Sequence, residues 1–349
     1  MRGPWFNILA IAIVGVALSV VVLHNLAGDS ARHLLNVSYD PTRELYQDIN
    51  GHFVSEYEQQ HGQRLAIQQA HGGSSRQARS VIQGQLDADV VTLALPSDVE
   101  ALHQKGLIAD GWSERLPTHS VPYTSTIVFV VRRANPAGIH DWPDLVKPGV
   151  GIVTPNPKTS GNGKLSVLAA WGSVIVHGGD DAAAAAYLKD VFHHVVVLGD
   201  GARDAAKSFA QDEIGDVHLT WENEALREAG ESSGKLEVVY PSVSIRAEPT
   251  VAWVDANVAR HGTTDIAKAY LAYLFTDPVQ ELIAQHGYRA ENPAVLARHR
   301  DHLPDLQLFP VTLLGSDWST VQTRFFADLG IYDTTVDAIG SAVGGLQGK

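Results

Sequence analysis

The 349-residue chain contains no cysteine, and its single methionine is Met1. Without thiols there can be no disulfide, no thiolate metal site and no thiol nucleophile. No fold demands the loss of internal methionine, the usual gap-filler of cores. Two explanations fit: drift in a GC-rich genome, in keeping with abundant Ala, Gly, Arg, Asp and His, or selection to build the protein with little sulfur. Positive charge is scarce as well, since 26 Lys and Arg face 39 Asp and Glu for a formal net charge of −13. Nowhere do Lys and Arg cluster as a phosphate backbone requires, which argues against a nucleic-acid partner. Catalytic signatures are missing too. There is no G-x-S-x-G elbow and no H-E-x-x-H pair, and the densest of the 16 histidines, "HH" (193–194) and "RHRDH" (298–302), lack metal-ligand spacing.

What is present describes a globular protein. Hydrophobic residues make up 45% and charged residues 19%, and the length suits two domains or one large one. Arg2 precedes an apolar run from Ile8 to Leu23, short for a membrane span and long for the core of a signal peptide. Residues 1–33 therefore read as a cleaved signal peptide or an uncleaved N-terminal anchor, and either implies export.

Strand-like and helix-like segments alternate after residue 33. "LLNVSY" (34–39) reads as a strand, followed by Asp40 as a helix cap and Pro41 at the first helical position. Leu45, Ile49 and Phe53 then share one helix face. "RLAIQQA" (64–70), a helix with Ala78, Val81, Ile82 and Leu86 inward, and "DVVTLAL" (89–95) complete a βαβαβ unit. A second series of strands begins near "YTSTIVFVVRRANP" (123–136) and ends near "SIRAEPTVAWVD" (244–255). The expected fold class is α/β: two mostly parallel α/β domains joined by crossovers near 119–126 and 245–251, with ligands in the crevice at the carboxyl ends of the strands.

Four polar elbows stand at those strand ends: "SYDPTREL" (38–45), "HGGSSRQA" (71–78), "PKTSGNGK" (157–164) and "LGDGARDAA" (198–206). A helix start leaves backbone N–H groups unpaired and carries partial positive charge, so each elbow could hold an anion. Taken alone, the third is equally an ordinary capped helix with Thr159 or Ser160 as cap. Four elbows with one strand–loop–helix grammar favour a converging anion site. The acidity of the chain does not oppose this, because charges farther than about 8–10 Å are largely screened. "GNGK" (161–164) is not a P-loop, since Lys158 stands where glycine is needed and Leu165 follows Lys164 in place of a hydroxyl residue. Ser74 and Ser160 have no base nearby in sequence and suit hydrogen-bond donation better than nucleophilic attack. Trp221, at the end of "DVHLTW" (216–221), carries an indole N–H that only donates.

At these loops the chain resembles the periplasmic sulfate-binding proteins of ABC transporters, from about Leu34 to Val311. The resemblance rests on "LLNVSYDPTRELY", "HGGSSRQA", "ADVVTLAL", "PYTSTIVFVVR", "HDWPDLVKPGV", "TPNPKTSG", "LAAWG", "DGAR" and "WENEAL". It implies a periplasmic-binding-protein fold of two α/β domains around a hinge, closing on a dehydrated sulfate without cofactor, metal or catalysis. Domain 1 would comprise 34–120 and 250–311 and domain 2 residues 121–249, followed by a C-terminal helical tail, 312–349. Implied ligand donors are the backbone N–H groups of Asp40, Gly161, Asn162 and Ala202, the hydroxyls of Ser74 and Ser160, and the indole of Trp221. His71, Lys164 and Arg203 would support them from behind. Expected partners are sulfate or thiosulfate and the inner-membrane permease subunits, for a periplasmic monomer. A donor-only cavity of this kind would reject phosphate, whose proton would find no acceptor. A sulfate scavenger is needed when sulfur is scarce, which gives the missing Cys and Met a reason.

The chain departs from the family at one elbow, where Ser160-Gly161-Asn162-Gly163-Lys164-Leu165 replaces the usual Ser-Gly-Gly-Ala-Arg-Trp. Asn162 keeps its N–H, whereas Lys164 lacks the planar fork of the Arg it replaces. "LPSD" (95–98) also departs from the commoner Leu-Ala-Tyr-Asp. Alternatives to sulfate are thiosulfate, molybdate or tungstate. A membrane-anchored anion sensor, or a hydrolase of sulfate or phosphate esters using Ser74 or Ser160, would use the same cleft.

Overall fold

The computed structural model describes residues 31–336. The apolar N-terminal run read as signal or anchor and the chain beyond residue 336 lie outside the described residues, while Arg32 and His33, at the end of that reading, belong to the first strand. Among the described residues no helix is long and apolar enough to cross a membrane.

The strands are β1 (Arg32–Tyr39), β2 (Leu65–Gly72), β3 (Val90–Leu93), β4 (Tyr123–Thr124), β5 (Ile127–Arg132), β6 (Ile152–Pro155) and β7 (Val195–Gly199). They continue as β8 (Val217–Trp221), β9 (Leu236–Val239), β10 (Val243–Ile245), β11 (Thr250–Trp253), β12 (Arg289–Ala290) and β13 (Gln307–Phe309). One sheet has the order β11-β3-β1-β2 and the other β7-β6-β8-β5-β9. The βαβ rhythm yields parallel pairs at β1–β2, β1–β3, β6–β7 and β6–β8, whereas β11, β5 and β9 run antiparallel to their neighbours.

Helix faces follow the sequence periods. In the helix Arg43–His61, Leu45, Ile49, Phe53 and Tyr57 are buried, and Ile49 and Phe53 join Tyr270 and Ile283 in one core on the first sheet. Ala78, Val81, Leu93 and Leu102 form the core on its other face, with Ile82 and Leu86 only partly buried against it. The helix Gly161–Val176 is buried on every side over its first thirteen residues. It contributes Leu165, Leu168 and Trp171 to a large core that takes in Phe129, Leu219 and Phe325.

The chain leaves the first sheet through β4 and returns through β11. The two crossings touch where Ser125 and Ala247 exchange backbone hydrogen bonds of 3.1 and 2.9 Å. A third crossing was not expected: β13 pairs with β10, and the helix Trp318–Phe326 then stacks Phe325 edge-on against Trp171, with centroids 5.2 Å apart. The single extended stretch read at 244–255 is in fact two strands, β10 and β11, separated by Arg246–Pro249.

Candidate functional site

Five strands end at one place. β1 runs into a 3₁₀ turn, Asp40–Thr42, and β2 into Gly73 and the helix Ser74–Ile82. β6 is followed by Gly161–Val176, β7 by Ala202–Ala210, and β8 directly by Glu222–Glu231. Together they enclose a small cavity lined by Tyr39, Asp40, Pro41, Gly72, Gly73, Ser74, Ser160, Gly161, Asn162, Ala202 and Trp221. All seven residues expected to donate are therefore brought together, and none of the lining residues is Lys or Arg.

At none of the five helix starts does a side chain cap the backbone. Ser160 holds the cap position of its helix and is 3% exposed, yet its hydroxyl makes no capping bond. The ordinary-cap reading of that elbow therefore fails, because a capping serine would spend its oxygen on the backbone N–H groups left open here. Asp40 also differs from expectation. Tyr39 is the residue at the cap position, and the Asp40 carboxylate caps nothing, because Pro41 fixes a 3₁₀ turn before the α-helix begins. Burial raises the pKa of this carboxylate above its ordinary value, opposed by Arg43 and Arg76.

Ser74 has a second partner that sequence reasoning missed. Its hydroxyl donates to Asp98 Oδ2 at 2.6 Å and accepts the Ala94 N–H at 2.9 Å, while Ser75 donates to Asp98 Oδ1 at 2.9 Å. Asp98 belongs to "LPSD", the segment whose departure from the family pattern was its only signal. A buried carboxylate is a stronger acceptor than any neutral oxygen, so it orients both hydroxyls.

The charged residues stand behind the wall, each with a partner. Lys164 Nζ reaches Gln322 Oε1 at 2.9 Å and Asp98 Oδ1 at 3.4 Å. Arg203 donates to Glu44 at 3.1 Å and its Nε lies 2.9 Å from Glu224. Burial disfavours the Arg203 charge, but these carboxylates outweigh it and hold its pKa above the ordinary range. Arg289 grips buried Glu222 with two bonds of 2.7 Å. His71 bonds Ser38 Oγ at 2.8 Å, and burial lowers its pKa to about 4, which keeps the ring neutral near pH 7. A larger surface hollow is lined in part by Arg203 and Arg227, but both arginines are already tied to glutamates there.

Three glycines let the two halves of the wall approach. A Cβ on Gly73 would lie 2.4 Å from the Thr159 carbonyl oxygen, and one on Gly161 would lie 2.5 Å from Ala94 Cβ. One on Gly201 would meet Asp40 Oδ2 at 2.3 Å. Each clash is between elements of different sheets, so these glycines serve the closed juxtaposition rather than either sheet alone.

The protein-family description that matches residues 42–289 is that of the bacterial extracellular solute-binding proteins. Among similar curated proteins, the sulfate-binding protein of Escherichia coli strain K12 is 46% identical over 321 residues, covering 91% of this chain and 97% of that protein. The thiosulfate-binding protein of Pseudomonas aeruginosa is also 46% identical, over 309 residues, covering 88% and 93%. Among solved structures, the sulfate-binding protein SubI from Mycobacterium tuberculosis H37Rv superposes with a TM-score of 0.76 at 29% identity, covering 84% of this chain and 99% of that one.

Proposed function

This chain belongs to the bacterial extracellular solute-binding proteins, and on that footing we propose that it captures sulfate or thiosulfate and delivers it to an ABC permease. The observation that carries the reading is the convergence of uncapped helix starts from both sheets on one closed cavity without a lining cation. Relatives named for sulfate and for thiosulfate support the ligand class.

In this reading the backbone N–H groups of Asp40, Gly161, Asn162 and Ala202, the hydroxyls of Ser74 and Ser160 and the Trp221 indole surround the anion. Helix starts supply fixed partial positive charge, so a dianion is held without a counter-ion that could trap it permanently. Lys164, Arg203 and Arg227 offset Asp98, Glu44 and Glu224, whose charges would otherwise repel the ligand. Ser74 turns its hydrogen from Asp98 toward the anion. The lobes are 34–120 with 250–306 and 121–249 with 307–326, since Phe309, Val311 and Phe325 share the core of the second sheet, and they hinge at the paired crossings through Ser125 and Ala247. The protein works in the periplasm as a monomer, docks on inner-membrane permease subunits, and performs no chemistry on its cargo.

Calorimetric titration of anion-stripped protein with sulfate, thiosulfate and molybdate tests this. One-to-one binding of sulfate or thiosulfate at micromolar concentration or below is expected. Binding of molybdate alone would keep the site and change the cargo, and heat from none of the three would overturn the assignment.

A further inference from the structure

Arg289 sits where the two lobes join. Its strand, β12, pairs with β4 of the first crossing, Arg289 opposite Thr124 and Ala290 opposite Tyr123. Its guanidinium reaches Glu222, the residue after Trp221 in the second lobe, through Nε–Oε2 and Nη2–Oε1 bonds of 2.7 Å. Nη2 also donates to the Pro304 carbonyl at 2.8 Å, where the chain approaches β13 and its third crossing. Glu222 is itself tied to the first crossing, because its N–H donates to the Thr126 carbonyl at 3.0 Å. The Thr126 hydroxyl donates in turn to the Ile245 carbonyl at 2.7 Å, at the second crossing. One ion pair is thus linked to all three connections between the lobes. Beside it the Asn223 carboxamide donates to the Tyr288 hydroxyl at 3.0 Å, again from one lobe to the other.

Burial separates this pair from the others that bridge the lobes. The side chains of Arg76–Asp200 and Arg203–Glu44 are 25–65% exposed, so water takes the partner's place when they part. Lys164 and Asp98 are buried, but they meet at a longer 3.4 Å and each keeps partners within its own lobe, Gln322 for the ammonium and Ser74 and Ser75 for the carboxylate. The Arg289 and Glu222 side chains are 7% and 0% exposed, and parting them would leave a carboxylate with neither water nor a counter-charge. We propose that the Arg289–Glu222 pair is the pivot of lobe closure: it stays joined while the cleft opens. Arg289 is then a positioning residue, which through Glu222 holds the end of β8, and with it Trp221, in place for the incoming anion. The inference rests on the anion-binding reading above and deepens it. The exposed pairs serve as latches that form on closure.

Hydrogen exchange of the Arg289 Nε–H, followed by NMR in protein made with isotope-labelled arginine, tests the idea alongside small-angle scattering of the same samples. Sulfate should compact the anion-stripped protein, while the Nε–H exchanges slowly and at the same rate, within about threefold, in both states. Exchange that speeds up beyond this when sulfate is removed would make the pair a latch and overturn the proposal. Absence of compaction would overturn it too, since nothing would pivot. Arg289→Lys keeps the charge and loses the fork, so sulfate should weaken about tenfold by calorimetry and compaction should shrink. A lowered melting temperature with unchanged sulfate affinity would overturn the positioning role. Failure of sulfate to bind the wild type would overturn the anion-binding reading, and this inference with it. Because the wild-type exchange decides the matter alone, the test survives even a variant that does not fold.

Discussion

Lys164 and Asp98 face each other across the cleft, Nζ to Oδ1 at 3.4 Å, and each is 5% exposed. Lys164 stands in the first turn of the helix Gly161–Val176, beside the second sheet, and Asp98 in the helix Pro96–Gln104, beside the first. Gln322 of the C-terminal helix holds the same ammonium at 2.9 Å. Lys164 thus keeps the positive charge of the family's usual Arg but places it as a single-point cation between two acceptors rather than as a planar fork.

Removing one partner of this pair strands the other. Lys164→Met leaves a buried carboxylate next to the site, at a cost of about 2–4 kcal/mol in unfolding free energy. Adding Asp98→Asn should recover most of that loss. Urea unfolding of the two variants measures it, and equal destabilisation in the single and double variants would remove the ion pair from the account.

Trp221 is fully buried against Tyr39, ring centroids 5.4 Å apart, at the wall of the cavity. Replacing it by Phe keeps most of that packing and removes the indole donor. Sulfate affinity should fall by about 1.5–3 kcal/mol with the fold intact, as expected for a hydrogen bond to a charged group. Titration calorimetry reads the change, and an unaltered affinity would take Trp221 out of the donor set.

Glycine 161 separates folding from closure. A Cβ there would meet Ala94 Cβ at 2.5 Å, a contact made only when the two halves of the wall come together. Gly161→Ala should therefore weaken sulfate by at least about tenfold, or 1.4 kcal/mol, while the ligand-free melting temperature moves little. Small-angle scattering should show compaction when sulfate is added to the wild type and less of it in this variant.

His71 makes stability depend on pH in a defined direction. Burial lowers its pKa in the folded chain to about 4 from an ordinary value of 6.5, so below 6.5 the unfolded chain binds a proton that the folded chain refuses. Its contribution is complete above pH 6.5 and is lost as the pH falls toward 4. His71→Gln should flatten the acid side of the unfolding free-energy profile across that window. An identical slope in both proteins would exclude His71 as its source.

The fold was legible where the pattern is local. β1, β2, β3 and β8 fall within a few residues of the segments read as strands, and the helix Gly161–Val176 begins within the polar elbow 157–164. The seven expected donors share one cavity because each sits at a strand end of the same grammar. What stayed hidden depends on contacts distant in sequence. Asp98 meets Ser74 across 24 positions and Lys164 across 66, and Gln322 meets Lys164 across 158. No period or motif announces such pairs. Asp40 was misread as a cap because Asp-Pro before an apolar helix is an N-cap signal, and the intervening 3₁₀ turn leaves no trace in composition.

The central claim is that one tetrahedral anion sits among the starts of five helices. A crystal structure of the protein grown with selenate, an anomalous scatterer with the shape of sulfate, tests it most directly. The account predicts a single anomalous peak in the cavity between Ser74, Ser160 and Trp221, with the backbone N–H groups of Asp40, Gly161, Asn162 and Ala202 within hydrogen-bond distance. A peak elsewhere on the chain, with this cavity holding only water, would contradict it.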